Sequence, residues 1–118
     1  MHSEHYSVGD EAISAMRAIR ANGGSIWAVG TTVARTLESI TDETGVMRAG
    51  SGATDLFIRP GYKFKAVDHL ITNFHLPRST LMMLVAAFGG YELVMNAYRE
   101  AIEQQYRFYS YGDAMVLL

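Results

Sequence analysis

A few short segments of this sequence combine residue types and spacings that can do chemistry. The first is Gly30-Thr31-Thr32, with Arg35 one helical turn further on. A glycine and two threonines opening a helix bring free N–H groups, two hydroxyls and the positive end of the helix dipole to one point, where an anion can sit. Gly30 lets a ligand approach the backbone closely, and Arg35 can hold a carboxylate or phosphate in bidentate fashion. The competing use of the same residues is an ordinary helix cap, and caps are the commoner of the two. The second segment is Asn73-Phe74-His75-Leu76-Pro77. A histidine, with a reference pKa of about 6.5, is suited to proton transfer near neutrality; a ring buried and satisfied by Asn73 or a carbonyl is the alternative. His2 and His5 have the i, i+3 spacing of two metal ligands, with Glu4 between them. No third ligand is signalled, so the reading is a polar terminal segment, and no metal is expected. Asp113, after Tyr111-Gly112, suits a turn or a helix cap as well as catalysis.

These residues need elements to position them. Ile13, Met16 and Ile19 recur at helical spacing and Gly23-Gly24 follow, which predicts a helix over residues 10–21. Ile26-Trp27-Ala28-Val29 is a continuous apolar run bounded by glycines, expected to be a strand buried on both faces. It runs into Gly30 and a second helix, in which Val33, Leu37 and Ile40 form the inward stripe and Arg35 and Glu38 point elsewhere. Gly45, Gly50 and Gly52 mark residues 41–53 as a surface loop. Residues 55–59 read as a strand ended by Pro60-Gly61. Tyr62, Phe64 and Ala66 alternate with lysines, as in a half-buried extended segment, and residues 70–72 read as a further buried strand. Ser79 or Thr80 caps a helix that is apolar all round and ends at Gly89-Gly90. A longer helix over 91–106 turns Leu93, Val94, Ala97, Ala101 and Ile102 inward, and Ala114 to Leu118 form a last apolar segment. Strands alternating with helices predict an α/β fold: a mostly parallel sheet with helices on both faces, part of a larger α/β domain. Ligands of such sheets bind beyond the carboxyl ends of the strands, where Gly30-Thr31-Thr32 and Asn73-Phe74-His75 are both placed.

Composition bounds the alternatives. The chain has 118 residues, 49% of them hydrophobic and 19% charged, which suits one globular domain and excludes disorder. The absence of cysteine excludes disulfides and thiolate metal sites, and fits a reducing compartment. A net charge of −2 argues against a dedicated nucleic-acid-binding module, although Arg59, Lys63, Lys65 and Arg78 can form a local basic patch. No signal peptide is visible, and the longest apolar run is about half of what a membrane span requires.

Several blocks, in order, resemble one family over essentially the whole chain. They are Met1-His2-Ser3-Glu4, Val29-Gly30-Thr31-Thr32 with Arg35-Thr36-Leu37-Glu38-Ser39, and Phe57-Ile58 through Pro60-Gly61-Tyr62. Then come Ile71-Thr72-Asn73-Phe74-His75-Leu76-Pro77, Ser79-Thr80-Leu81, Ala97-Tyr98, and Tyr106-Arg107-Phe108 with Ser110-Tyr111-Gly112-Asp113-Ala114-Met115. The set resembles the S-adenosylmethionine:tRNA ribosyltransferase-isomerases of queuosine biosynthesis. The resemblance implies a cytoplasmic enzyme that takes S-adenosylmethionine as a ribosyl donor. It moves that moiety onto 7-aminomethyl-7-deazaguanine at the tRNA wobble position and rearranges it, giving epoxyqueuosine with loss of adenine and methionine. It also implies that residues 1–118 are the carboxy-terminal α/β portion, with an amino-terminal part and an inserted β-barrel domain absent, so that the piece alone is inactive. The implied partners are the anticodon region of tRNA and that missing part, with no membrane and no metal.

The resemblance supplies positions, and the chemistry suggests roles. A sulfonium acidifies the adjacent C5′ protons, so a base must remove one, and the methionine carboxylate needs a cationic or N–H-rich partner. His75 is the candidate catalytic residue, and Gly30, Thr31, Thr32, Arg35, Asn73 and Asp113 are the candidate substrate-binding set. Val33 stands where the family often has a small hydroxyl residue, so this helix start has one donor fewer. The alternative function is a non-catalytic nucleotide- or phosphate-binding α/β module using the same Gly-Thr-Thr turn.

Overall fold

The computed structural model describes residues 3–75, 79–108 and 112–118. Leu76, Pro77 and Arg78, the end of the histidine segment and one member of the expected basic patch, lie outside them, as do His2 and residues 109–111. Nine elements follow in order: β1 (Glu4–Val8), α1 (Asp10–Ala21), β2 (Trp27–Val29), α2 (Thr31–Ser39), β3 (Gly50–Thr54), β4 (His69–Asn73), α3 (Thr80–Gly89), α4 (Tyr91–Glu103) and β5 (Ala114–Leu117). The helix starts expected at residue 10, at the Gly-Thr-Thr turn and after Ser79 are where the sequence puts them. Ser79 caps α3 by accepting the Met82 N–H at 3.1 Å.

The sheets are mixed, and the expectation of a mostly parallel one is corrected. β1 pairs antiparallel with β3, while a three-stranded sheet has the order β2-β4-β5, its first pair parallel and its second antiparallel. The cause is the number of helices between strands. One crossover helix delivers the chain to the far end of a sheet and gives a parallel neighbour. Between β4 and β5 there are two, α3 and α4, turned by 116° at their junction, which return the chain to the end it left. Gly89-Gly90 makes that turn: Gly90 has φ +90°, and a Cβ on Gly89 would lie 2.4 Å from Leu117 Cδ2.

Three further expectations change. The segment over 55–59 is not a strand; the strand is β3, inside the expected loop, and its partner β1 lies in the supposed polar terminus. Partner choice decides here, because β3 is rich in small residues that admit β1: a Cβ on Gly52 would come within 3.1 Å of Tyr6 Oη. β2 is not buried on both faces. Ala28, Leu70 and Leu117 face the core with Leu84, Val85 and Val94, whereas Trp27, Val29 and Val116 are exposed, Val29 by 64%. Helices therefore do not cover both faces among the described residues. In α4 the inward residues are Val94, Tyr98 and Ala101, while Leu93 stands 69% exposed and Ile102 is also exposed.

Candidate functional site

Because β2 and β4 are parallel neighbours, with Val29 opposite Ile71, their carboxyl ends lie at one edge. The ladder continues one bond further, Gly30 N–H donating to the Ile71 carbonyl at 2.8 Å. Gly30 then turns the chain into α2 with φ +102°, a conformation that L side chains adopt only with strain. The Gly30-Thr31-Thr32 turn and the Asn73-Phe74-His75 segment thus leave the same end of the sheet.

An anion already sits at the α2 turn, and it belongs to the chain. Glu4, the first residue of β1, accepts from Thr32 Oγ1 at 2.8 Å through one carboxylate oxygen and forms an ion pair with Arg35 through the other. Arg35 is 1% exposed, and also donates to the carbonyls of Leu56 (3.1 Å) and Thr54 (3.3 Å). Its guanidinium is enclosed, and binds β1, α2 and the segment after β3 together. Beside this group lies a cleft of about 410 Å³ lined by Glu4, Thr31, Thr32, Arg35, Ser79, Thr80 and Leu81. The amino-terminal turns of α2 and α3 thus face one another across it.

His75 is half-buried. Its Nε2 lies 2.8 Å from Thr72 Oγ1, and its backbone N–H donates to Tyr98 Oη at 2.8 Å. Burial lowers the pKa of the ring from its usual value, so the neutral form prevails at neutral pH. The phenol of Tyr98 is shifted upward, by burial against the weaker opposing effect of that N–H. Tyr98 also packs edge-on against Phe74 (5.3 Å between centroids), which stacks on Phe108. Two aromatic contacts and one hydrogen bond therefore fix the backbone at His75, leaving Nδ1 as the ring nitrogen not engaged by Thr72. Asn73 and Asp113 meet through the backbone: Asn73 Nδ2 donates to the Asp113 carbonyl at 3.4 Å, while the Asp113 carboxylate accepts the Arg107 N–H. His75, Asn73 and Asp113 are outside the lining of the Glu4 cleft.

Two carboxylates that the fold uses are not legible as such in the sequence. Glu4 stood between two histidines and looked like terminal polarity. Glu38 was expected to point away from the core; it is 1% exposed and accepts from Tyr62 Oη and the N–H groups of Lys65, Ala66 and Val67 at 2.8–3.0 Å. Burial, and next to it Glu38, raises the Tyr62 pKa. The available signal was the i, i+3 spacing of Arg35 and Glu38, which puts both on one helix face. Among the described residues no three His, Asp or Glu side chains are grouped to hold a metal ion, and no single helix is long and apolar enough to cross a membrane.

Loops carrying threonines and a histidine leave the carboxyl ends of two adjacent parallel strands, the edge at which α/β proteins commonly bind ligands. The chain belongs to the family described as queuosine biosynthesis protein, whose pattern it matches over residues 1–117. It is 60% identical, over its whole length, to the S-adenosylmethionine:tRNA ribosyltransferase-isomerase of Symbiobacterium thermophilum, covering 35% of that protein. To the enzyme of the same name from Moorella thermoacetica it is 59% identical, covering 34%. The crystal structure of S-adenosylmethionine tRNA ribosyltransferase from Thermotoga maritima superposes with a TM-score of 0.86 at 52% identity, over 97% of this chain and 40% of that one. The chain spans about a third of the length of the curated relatives it matches.

Proposed function

We propose that these residues form the carboxy-terminal α/β portion of a cytoplasmic S-adenosylmethionine:tRNA ribosyltransferase-isomerase. It would act on 7-aminomethyl-7-deazaguanine in the anticodon region of tRNA and give epoxyqueuosine. The observation that carries the reading is that the Gly30-Thr31-Thr32 turn and the His75 segment leave the same end of the sheet, in a chain that matches the family over residues 1–117. The relatives' names are those of enzymes, which favours catalysis over a non-catalytic binding module.

His75 is the base for this portion's share of the chemistry. A neutral ring accepts a proton, and its lowered pKa supplies that form at neutral pH. For Nδ1 to accept the C5′ proton of the sulfonium substrate, Nε2 must carry hydrogen and donate it to Thr72 Oγ1. Tyr98 holds the backbone from which the ring projects. Thr31, Thr32 and the Gly30 turn wall the nucleoside crevice, and Asn73 and Asp113 support its rim.

Catalysis requires the two thirds of the relatives' length that these residues do not span. The exposed face carrying Trp27, Val29 and Val116 is where that remainder docks. His69, in register with Trp27, has a buried Nδ1 without a hydrogen-bond partner among the described residues, as expected where a partner layer is to be added. The test is an enzyme in which residues 1–118 are joined to the amino-terminal two thirds of the Symbiobacterium relative. Adenine release from S-adenosylmethionine, dependent on tRNA bearing 7-aminomethyl-7-deazaguanine, is the expected result. No release from the folded hybrid would contradict the assignment.

A further inference from the structure

We propose that Glu4 is the acceptor that binds the vicinal hydroxyls of the ribosyl group in the cleft between the starts of α2 and α3. The proposal deepens the S-adenosylmethionine reading above and rests on it. Its basis is a reversal of polarity. The α2 turn, with its threonines and Arg35, has the composition of an anion site, yet the anion there is Glu4. A substrate carboxylate or phosphate arriving at the same point would meet a like charge with no unengaged guanidinium beside it, because Arg35 is enclosed.

What the cleft offers instead is a positioned acceptor. Each carboxylate oxygen has two lone-pair directions. Oε1 uses one toward Arg35 and Oε2 one toward Thr32, so among the described residues one on each oxygen remains, and the Glu4 side chain is 34% exposed. Two adjacent acceptor sites on one rigid carboxylate match the two donors of a vicinal diol. Arg35 also neutralises the charge locally, which favours a neutral pair of hydroxyls over the ammonium or sulfonium of the same substrate. Thr31, Ser79 and Thr80 line the rest of the 410 Å³ space, and Leu81 gives it one apolar wall. A ribosyl ring needs such a mixed lining. Held there by its 2′ and 3′ oxygens, it would be gripped at the moiety that is transferred.

The decisive measurement is calorimetric affinity of the hybrid enzyme for S-adenosylmethionine and for its 2′-deoxy and 3′-deoxy analogues. Losing a hydrogen bond to a charged acceptor is expected to weaken each analogue ~10–100-fold. Glu4→Gln and Glu4→Asp should weaken the parent and shrink both deoxy penalties to about threefold or less. Glu4→Asp keeps the charge that Arg35 needs while withdrawing the carboxylate from the cleft, so it remains informative if Glu4→Gln does not fold. Analogues that bind the unmodified enzyme as tightly as the parent would overturn the proposal, as would full penalties persisting in either folded variant. Absence of parent binding by the folded enzyme would remove the S-adenosylmethionine reading as well, so the two failures are distinguishable.

Discussion

At the scale of single residues, the molecule turns on ionisable groups whose surroundings decide what they do. His75 is expected to act as a base because burial disfavours its charged form. The unfolded chain binds that proton near pH 6.5 and the folded chain does not, so the unfolded state takes up more protons as the pH falls. The associated stability is therefore full above about 6.5 and is lost as the pH falls through the depressed folded value. His75→Ala in the hybrid enzyme should lower turnover by at least ~10²-fold and leave the Tm at neutral pH nearly unchanged. It should also flatten the decline of Tm on the acid side of about 6.5. Normal turnover per folded molecule would remove His75 from the mechanism. Glu38 is the opposite case, a carboxylate with a structural task. Glu38→Ala leaves the buried N–H groups of Ala66 and Val67 unpaired and is expected to cost about 2–5 kcal/mol in urea unfolding. In the same variant the raised Tyr62 pKa should fall part of the way toward its ordinary value, the share due to burial remaining, read by ultraviolet titration. A loss below ~1 kcal/mol would show that the loop over 59–68 is held by other means.

At the scale of elements, helices were more legible than strands. α1, α2 and α3 declare themselves by local stop, glycine-turn and cap signals, which are properties of one segment, although the inward stripes are only partly as expected, Ile19 of α1 and Val33 of α2 being exposed. The Ser79 cap is an instance: Ser79→Ala should destabilise by about 1 kcal/mol, and Ser79→Gly by only a few tenths, in thermal or urea melts. Equal losses from both would point away from the Met82 N–H bond. Strands depend on partners far away in sequence. β3 is composed of Gly, Ser, Ala and Thr, and nothing local distinguishes it from a loop; β1, pairing it from Glu4↔Thr54 to Val8↔Gly50, makes it a strand. Residues 55–59 carry the better strand composition and have no partner strand among the described residues. Sheet direction was missed for a related reason, since the doubled helix between β4 and β5 reverses the return of the chain. The candidate site was half legible. Gly30, Thr31, Thr32 and His75 stand out because strand ends and glycine turns are local, whereas Glu4 and Tyr98 reach the site only through tertiary packing, from 28 and 23 positions away.

At the scale of the whole molecule, the described residues make one core and leave one sheet face open. Trp27, Val29 and Val116 project from that face, and β2 and β4 present their carboxyl ends beside it. A chain that spans about a third of its relatives and carries such a face is expected to be folded and catalytically silent by itself. The direct measurement is adenine release from S-adenosylmethionine, with tRNA bearing 7-aminomethyl-7-deazaguanine, in three samples: the 118-residue chain, the separately prepared remainder of the Symbiobacterium enzyme, and the two mixed. Release is predicted only in the mixture, and it should be abolished by Val29→Asp, which places a charge on the exposed face proposed to dock the remainder while leaving the isolated chain folded. Robust release by the chain alone, or a mixture unaffected by that substitution, would contradict the account.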